Sequence, residues 1–202
     1  MEKSRRVRHC APVETNPFIL QTIEDHLVAV TALREQTAVI GQLVGACTRA
    51  IEAGGKVCFF GNGGSAADAQ HFAAELVVRY TRNRRPLAAI AFTTDTSILT
   101  AGANDFGYEG VFARQVEALC DARDVVVGIS TSGTSANVVA GLKAAKAAGA
   151  FVVAFTGRQG GACADLADLA FCAPSDITAR VQECHLLVGH ILCDLVEAAF
   201  AA

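Results

Sequence analysis

Short apolar runs alternate with helical segments along most of this sequence, and this alternation limits the possible folds more than any other feature. Five runs, at residues 56–60, 86–92, 124–130, 150–156 and 169–173, have the length and composition of strands. They are apolar almost without interruption, which is typical of strands that are buried on both faces. The sequence therefore predicts an α/β protein with a parallel sheet that helices cover on both sides.

The segments around these runs have helical periodicity. Helices are predicted at residues 65–79, 107–120, 135–148, 160–167 and 177–200. Residues 17–53 are predicted to form two helices, or one with a break, that end at Gly54 and Gly55. These N-terminal helices are apolar for a surface element, so we expect them to pack on another subunit. Residues 1–16 are expected to be a flexible arm and residues 17–202 a single domain.

The bulk composition excludes several classes of function. The 202 residues carry a formal net charge of −3, so no overall positive field attracts nucleic acid. No apolar run approaches the roughly 18 residues of a membrane span, and the N-terminus lacks the apolar segment of a secretory signal. We therefore expect a protein that binds neither nucleic acid nor membrane.

Eight cysteines lie along the chain without any CxxC pair. Most have apolar neighbours, as in VCFF at residues 57–60 and ILCDL at residues 191–195. Such thiols behave as small buried hydrophobic groups and are typical of proteins in a reducing compartment. The pattern favours free cysteines and a cytoplasmic protein.

A glycine-rich turn, GNGGS at residues 61–65, joins the first predicted strand to a helix. In folds of this class, ligands bind beyond the carboxyl ends of the strands. Glycines let backbone N–H groups approach a ligand, and a helix N-terminus favours an anion. Ser65 and Asp68 also match a capping box, so Ser65 is expected to cap the helix, which is compatible with a ligand contact.

A dinucleotide site is the obvious alternative for this turn. The pattern Gly61-x-Gly63-x-x-Ala66 matches the dinucleotide fingerprint weakly. The fingerprint expects an acidic residue about 20 residues further on, at the end of the next strand. Here the next strand ends near Asp95, which is over 30 residues away. The spacing therefore argues against bound NAD.

A second turn, STSGTS at residues 130–135, has different chemistry. Its five hydroxyl groups and its backbone amides lie at the start of a helix, which suits a phosphate group. No lysine follows as in a P-loop, so a nucleoside triphosphate is not expected. The phosphomonoester of a small molecule fits better, and the alternative is a hydroxyl-rich loop without a ligand.

His71 and Glu75 are four residues apart and therefore lie on one face of the helix that follows the glycine turn. This is the spacing at which helices present two ligands to zinc. A single pair is more often an ordinary surface contact, so a metal site needs further ligands from elsewhere in the chain.

The last predicted helix offers further ligands. Gln182, Glu183, His185 and His190 interrupt its apolar surface, and polar groups in a buried helix need partners. Helical angles place His190 slightly closer to Glu183 than to Gln182. They place His185 on a different face of the helix, so we expect it to be a hydrogen-bonded histidine of the core or of an interface.

Four separated motifs in this chain resemble one known family. They are GNGGSAADAQHFAAEL at residues 61–76, ANDFG at 103–107, GISTSGTSANV at 128–138 and RVQECHLLVGH at 180–190. In this order and spacing, over about residues 17–200, the chain resembles the bacterial phosphoheptose isomerases, which have a sugar-isomerase (SIS) domain. The resemblance implies a three-layer αβα sandwich with a five-stranded parallel, Rossmann-like sheet. It also implies a homotetramer with active sites between subunits.

The resemblance also implies a set of site residues. The metal ligands would be His71, Glu75, Gln182 and His190, which overrides the weak geometric preference for Glu183. The substrate would contact Asn62, Gly63, Gly64, Ser65, Glu75, Asn104, Asp105, Ser130, Thr131, Ser132, Ser135 and Gln182. Thr134 stands where the family usually has asparagine, a change that we expect to be tolerated because the threonine can still contact the loop.

The implied activity is the conversion of sedoheptulose 7-phosphate to D-glycero-D-manno-heptose 7-phosphate. Such an isomerisation moves a proton between C1 and C2 through an enediol, and it needs an acid, a base and a group that stabilises the enediolate. We expect Glu75 and His190 to be the acid–base pair. One Zn²⁺ ion per subunit would stabilise the charge, and the hydroxyl-rich turn would hold the phosphate.

Three other functions remain as alternatives. A relative that binds the bacterial replication initiator is similar through the first motif, but we expect it to have asparagine in place of His190, which favours the enzyme here. A regulatory SIS domain would usually carry a DNA-binding domain, for which we expect no room. A metal-free sugar-phosphate isomerase is disfavoured because all four implied metal ligands are present.

The run RYTRNRRP at residues 79–86 contains four arginines. Because the net charge is acidic, this run is expected to be a solvated loop or a contact between subunits. A nucleic-acid site is the disfavoured alternative.

Overall fold

The computed structural model describes residues 16–201, in which five strands lie between two layers of helices. The strands are β1 Val57–Gly61, β2 Ala89–Ala91, β3 Val125–Ser130, β4 Phe151–Thr156 and β5 Leu169–Cys172. The helices are α1 Pro17–Ala32, α2 Thr37–Glu52, α3 Gly64–Val77, α4 Thr96–Phe106, α5 Ala113–Leu119, α6 Ala136–Ala147, α7 Gly161–Leu166 and α8 Thr178–Phe200. The predicted α/β class and the three-layer sandwich are confirmed.

All neighbouring strands pair in parallel, in the order β2-β1-β3-β4-β5. The chain runs from β1 out to β2 at one edge and then returns to the other side of β1 to form β3. The strand order therefore reverses between β1 and β3, where Gly61 lies opposite Ile129. In open α/β sheets, ligands bind at such a reversal, beyond the carboxyl ends of the two strands.

The core lies on both faces of the sheet because alternate strand residues point to opposite sides. Val57 and Phe59 pack in one cluster with α1, α2, α3 and α8. Cys58 and Phe60 pack in the other with α5, α6 and α7. Since every residue of β1 is buried, the strand is apolar without interruption.

The N-terminal helices form as predicted, with a break. A 3₁₀ turn at Leu33–Gln36 separates α1 from α2. The Asn16 side chain caps α1 by accepting the N–H of Phe18 at 3.0 Å, and Pro17 occupies the first helical position, where its missing N–H costs nothing. The predicted flexible arm lies outside the described residues, apart from Asn16.

Two element predictions were wrong between β2 and β3. Residues 96–106 form the helix α4, which was not predicted, whereas the predicted helix at 107–120 is a 3₁₀ turn at Tyr108–Gly110 followed by the short α5. Strand β2 is also shorter than the predicted 86–92. Pro86 has no N–H to donate, and the N–H of Leu87 goes to the Leu76 carbonyl at 3.1 Å.

The predicted capping box at the start of α3 was also wrong. Gly63, with φ of 56°, occupies the N-cap position, and no side chain caps the helix. Ser65 instead lies within the first turn and is buried.

The cysteines in the described part of the chain are all free. Five of them are buried: Cys47, Cys58, Cys163, Cys184 and Cys193. Cys10 lies outside the described residues. Within residues 16–201, no helix has the length and the apolar character needed to cross a membrane.

Candidate active site

The two turns singled out in the sequence lie side by side at the carboxyl edge of the sheet. Residues 61–65 follow β1 and residues 130–135 follow β3, and the two strands are hydrogen-bonded neighbours. The helices α3 and α6 begin directly after these turns. The structure thus places both predicted ligand-binding turns at the reversal of strand order, as the fold rule expects.

A histidine pair joins α3 to α8 about two helical turns after the start of α3. The Nε2 atoms of His71 and His190 lie 2.8 Å apart, close enough for one ring to donate a hydrogen bond to the other. Their rings meet edge-on, with centroids 5.1 Å apart. One helical turn further along α3, Oε1 of Glu75 lies 3.6 Å from the same Nε2 of His71. The structure therefore brings Glu75 and His190 together around His71.

These three side chains suit a zinc ion in chemistry and come close in geometry. With metal–ligand bonds of about 2.0–2.1 Å, a tetrahedral site places neighbouring ligand atoms about 3.3 Å apart. The observed separations of 2.8 and 3.6 Å lie on either side of that value. Within residues 16–201, no group of three or more His, Cys, Asp and Glu side chains has an arrangement that could hold a metal ion. These donors have suitable chemistry for zinc, but the structure does not arrange them around a common centre.

Gln182 lies beside the glycine turn. Its amide occupies the space over Gly64, where the Cβ atom of any other residue would overlap it. A glycine at this position is therefore required for the observed placement of Gln182. The fourth predicted ligand thus lies at the first turn of α3, whereas His71 and Glu75 lie further along the same helix.

Glu183 is turned away from the histidine pair. Its Oε2 accepts a hydrogen bond from Nε of Arg180 at 2.6 Å and lies 2.7 Å from Nδ1 of His26 on α1. The Arg180 guanidinium and His26 lower the pKa of Glu183, although its burial acts in the opposite direction. These partners do not support the weak geometric preference for Glu183, and Gln182 as a ligand stays a prediction.

The hydroxyl groups of the second turn face one another. Oγ of Ser130 lies 2.9 Å from Oγ of Ser135 and 3.3 Å from Oγ of Ser132. Thr134 donates to Oγ of Ser132 at 3.1 Å, so the residue that departs from the family pattern does contact the loop. Thr131 and Ser132 also line a cavity of about 150 Å³ that Arg158 borders.

Two asparagines connect the two turns. Asn62 and Asn137 exchange amide hydrogen bonds of 2.8 Å in both directions, and the Tyr108 hydroxyl donates to Oδ1 of Asn62 at 3.1 Å. Asn137 and Tyr108 were not among the predicted site residues. Asn104 and Asp105 lie exposed near the end of α4, where the Asn104 amide donates to the Asp105 carboxylate at 2.7 Å.

The arginine segment, residues 79–86, folds back onto α8. The side chain of Arg84 is fully buried and lies 3.2 Å from Oε2 of the equally buried Glu197. Burial alone would raise the pKa of Glu197, but the backbone N–H groups of Tyr80, Thr81 and Arg82, together with Arg84, lower it to about 2. The expectation of a solvated loop was therefore wrong for Arg84. A contact with another subunit stays a prediction.

His185 is a core histidine, as predicted. It is fully buried, and its Nε2–H donates to the Thr156 carbonyl at 2.9 Å. Burial lowers its pKa to about 4, although the Thr156 hydrogen bond opposes the shift. Asp68 is a buried residue that the sequence did not single out for the site. Burial raises its pKa to about 6 against the opposing charge of His71.

Comparison with known proteins identifies the family. A SIS domain family model matches residues 22–157. The phosphoheptose isomerase of Paramagnetospirillum magneticum is 55% identical over 188 residues, which cover 91% of this chain and 96% of that protein. That of Aquifex aeolicus is 59% identical over 158 residues, covering 78% and 83% of the two chains.

The fold agrees with these relatives. The solved structure of the phosphoheptose isomerase from Neisseria gonorrhoeae superposes with a TM-score of 0.85 at 41% sequence identity. The match covers 90% of this chain and 98% of that one. On the matched family model, the near full-length relatives and the shared fold, the chain belongs to the phosphoheptose isomerase family of SIS-domain proteins and is a sugar-phosphate isomerase.

Proposed function

We propose that this isomerase converts sedoheptulose 7-phosphate to D-glycero-D-manno-heptose 7-phosphate, with Glu75 and His190 as the acid–base pair. The proposal rests on one observation above all. Glu75 and His190 converge on His71, which lies on the helix that begins at the glycine turn, and that turn is next to the hydroxyl-rich turn, which suits a phosphate group. Proton-transfer groups and a phosphate cradle are the two parts that an isomerase of phosphorylated sugars needs.

The reaction moves a proton between C1 and C2 of the sugar. One group must accept the proton from carbon while another donates a proton to the carbonyl oxygen. A carboxylate and an imidazole can exchange these roles in the two directions of the reaction. Glu75 and His190 come from different helices, and both lie close to His71.

The hydroxyl-rich turn would position the substrate. Ser130, Ser132 and Ser135 now hydrogen-bond one another, and the same hydroxyl groups can turn to phosphate oxygens. Holding the phosphate at one end of the sugar orients the reacting carbons at the other and lowers the entropic part of the barrier.

We propose that His71, Glu75, Gln182 and His190 hold one zinc ion per subunit. Three of these side chains converge, and Gln182 lies near the start of the helix that carries two of them. Bound there, zinc would polarise the substrate carbonyl and stabilise the negative charge that develops on its oxygen.

We also propose a cytoplasmic homotetramer. Helix α1 exposes a row of large apolar side chains, each at least 49% exposed: Phe18, Ile19, Leu20, Ile23, Leu27 and Val28. A contiguous apolar surface of this kind is typical of a protein contact. The free cysteines are typical of a reducing compartment.

The test is a turnover assay with the His190→Asn variant. Zinc-loaded protein is incubated with sedoheptulose 7-phosphate, and the sugar phosphates are followed by NMR beside a chelated sample. The wild type should form a heptose 7-phosphate aldose, and the chelator should stop it. His190→Asn should lower kcat at least about 100-fold, because a positioned acid–base group contributes roughly 10²–10⁴-fold.

Phosphate binding and a matched variant serve as controls. Substrate binding by calorimetry should persist in His190→Asn because the hydroxyl-rich turn is intact. His26→Asn makes the same change at a histidine that contacts Glu183 and should retain most of the activity. A fully active His190→Asn protein would overturn the acid–base assignment. No turnover by folded, zinc-loaded wild type would overturn the proposed substrate.

A further inference from the structure

We propose that Glu197 is a positioning residue, which orients His190 and Glu75 by holding the arginine segment, residues 79–86, against α8. Only its kinetic test rests on the proposed function, since its structural test needs neither substrate nor metal. Glu197 lies seven residues after His190 on the same helix and does not contact the histidine pair directly. Its influence must pass through the residues that it holds.

The Glu197 carboxylate organises the backbone of the segment. It accepts the N–H groups of Tyr80 at 2.7 Å, Thr81 at 2.7 Å and Arg82 at 2.5 Å. Three consecutive amides that point at one anion form a nest, and each hydrogen bond is strengthened by the negative charge. The carboxylate is completely buried, so water cannot take its place when it is removed.

The first route to the site runs through Tyr80. The Tyr80 ring packs on the His190 ring, with centroids 5.7 Å apart and planes tilted by 32°. His190 also meets His71, through the Nε2 atoms of the two rings. The imidazole of His190 therefore contacts two rings, and the Tyr80 backbone N–H that Glu197 binds fixes one of them.

The second route runs through Arg84. One guanidinium nitrogen, Nη2, lies 3.2 Å from Oε2 of Glu197 and donates to the backbone carbonyl of Glu75 at 2.8 Å. The Arg84 and Glu197 side chains are both fully buried. Removing one charge of a buried pair leaves the other uncompensated, so the guanidinium and the end of α3 would shift together.

A buried carboxylate elsewhere in the chain provides a matched control. Asp124 lies at the amino edge of the sheet, where it accepts the N–H groups of Lys56 and Asp121 at 2.9 Å each and pairs with Nζ of Lys56 at 2.6 Å. It is 1% exposed. Loss of its charge should cost stability in the same way, without touching the site.

The experiment compares Glu197→Gln with Asp124→Asn. In metal-free protein, the ¹⁵N and ring-proton resonances of the imidazoles are assigned by NMR. We expect Glu197→Gln to shift the His190 signals, while Asp124→Asn leaves them unchanged at a comparable loss of thermal stability. In the turnover assay, Glu197→Gln should lower kcat by about 10- to 100-fold with KM within about twofold, which is the scale of a misplaced reacting group.

A double-mutant cycle tests the route through Tyr80. Tyr80→Phe keeps the ring and should leave the His190 signals in place, whereas Tyr80→Ala should reproduce the shift. In the double variant, the effects of Tyr80→Ala and Glu197→Gln on the His190 signals should not add, because both reach that ring through the Tyr80 contact. If Glu197→Gln does not fold, the comparison of Tyr80→Phe with Tyr80→Ala still decides whether this segment orients His190.

Two outcomes would overturn the inference. One is an unchanged His190 spectrum in folded Glu197→Gln, or in Tyr80→Ala. The other is an equal loss of kcat in Glu197→Gln and Asp124→Asn, which would mean that Glu197 contributes stability alone. A wild type without turnover would instead refute the proposed reaction and leave the spectral test valid.

Discussion

Gly64 leaves the space that the Gln182 amide fills, so the missing side chain at one position decides where a proposed ligand lies. We expect Gly64→Ala to push the amide away and to lower kcat/KM at least about 10-fold, since the reacting groups depend on placement within about 1 Å. The backbone tolerates alanine because Gly64 lies inside the first turn of α3. Kinetics and thermal melts together measure the effect.

Gly41→Ala is the matched control for that substitution. Gly41 lies within α2, and a Cβ atom there would meet nothing within 4 Å. The change should leave kcat/KM unaltered and raise stability by up to about 1 kcal/mol, because alanine is the better helix former. Wild-type kinetics in Gly64→Ala would show that the position of Gln182 does not matter.

The sequence predicts the placement of some site residues but not of others. His71 and Glu75 could be predicted to lie together because both belong to one helix with a known period. The choice between Gln182 and Glu183 could not be made, since it depends on His26 and Arg180, which pair with Glu183 in the folded chain. No sequence pattern indicated a role for Glu197, because its partners are backbone amides more than a hundred residues earlier in the chain.

At the scale of elements, α4 differs from α3, α6 and α8 because it has no buried residue. None of its residues is fully buried, and its first turn is capped by Asp95, whose Oδ1 accepts the N–H of Ile98 at 2.9 Å. The helix carries Asn104 and Asp105, which are expected to contact the substrate. Its order should therefore affect substrate binding more than proton transfer.

Asp95→Ala tests this view of α4. Loss of the cap should cost about 1 kcal/mol of local stability and speed amide hydrogen exchange along α4. KM should rise several-fold with little change in kcat, since Glu75 and His190 are untouched. Asn16→Ala removes the corresponding cap from α1 and should leave KM alone. If Asp95→Ala speeds hydrogen exchange in α4 but leaves KM unchanged, α4 does not take part in substrate binding.

The elements that the sequence predicted well are those with strong apolar patterns. The buried strands β1, β3 and β4 and the helix α8 were predicted almost to the residue. Helix α4 was missed although its sequence TSILTAGANDF is amphipathic at the helical period, and in the structure none of its residues is buried. Strand β2 was overestimated because its apolar run continues into residues whose N–H groups are absent or bonded elsewhere.

At the scale of the whole molecule, the exposed face of α1 should determine assembly. Leu27 is 50% exposed within that face. Leu27→Glu would place a charge in an interface core, where an unpaired carboxylate is costly. We expect the mass measured by light scattering to fall from that of four chains to that of a smaller species, and the activity to fall with it.

A second surface change on the same helix provides the control. Glu24 is exposed on α1, and Glu24→Gln alters charge without adding a polar group to the apolar row. It should leave the mass unchanged. A Leu27→Glu protein with the wild-type mass would show that the face of α1 does not join subunits.

The nest around Glu197 also has a consequence for the order in which the protein matures. Tyr80 leaves the ribosome 117 residues before the carboxylate that holds it. At synthesis rates of about 5–20 residues per second, the arginine segment waits on the order of ten seconds without its anchor. The first half of the chain can build α3 and β1 during that time. The nascent protein therefore acquires an oriented His190 only as the last helix emerges, which delays catalytic competence until nearly the whole domain has been made.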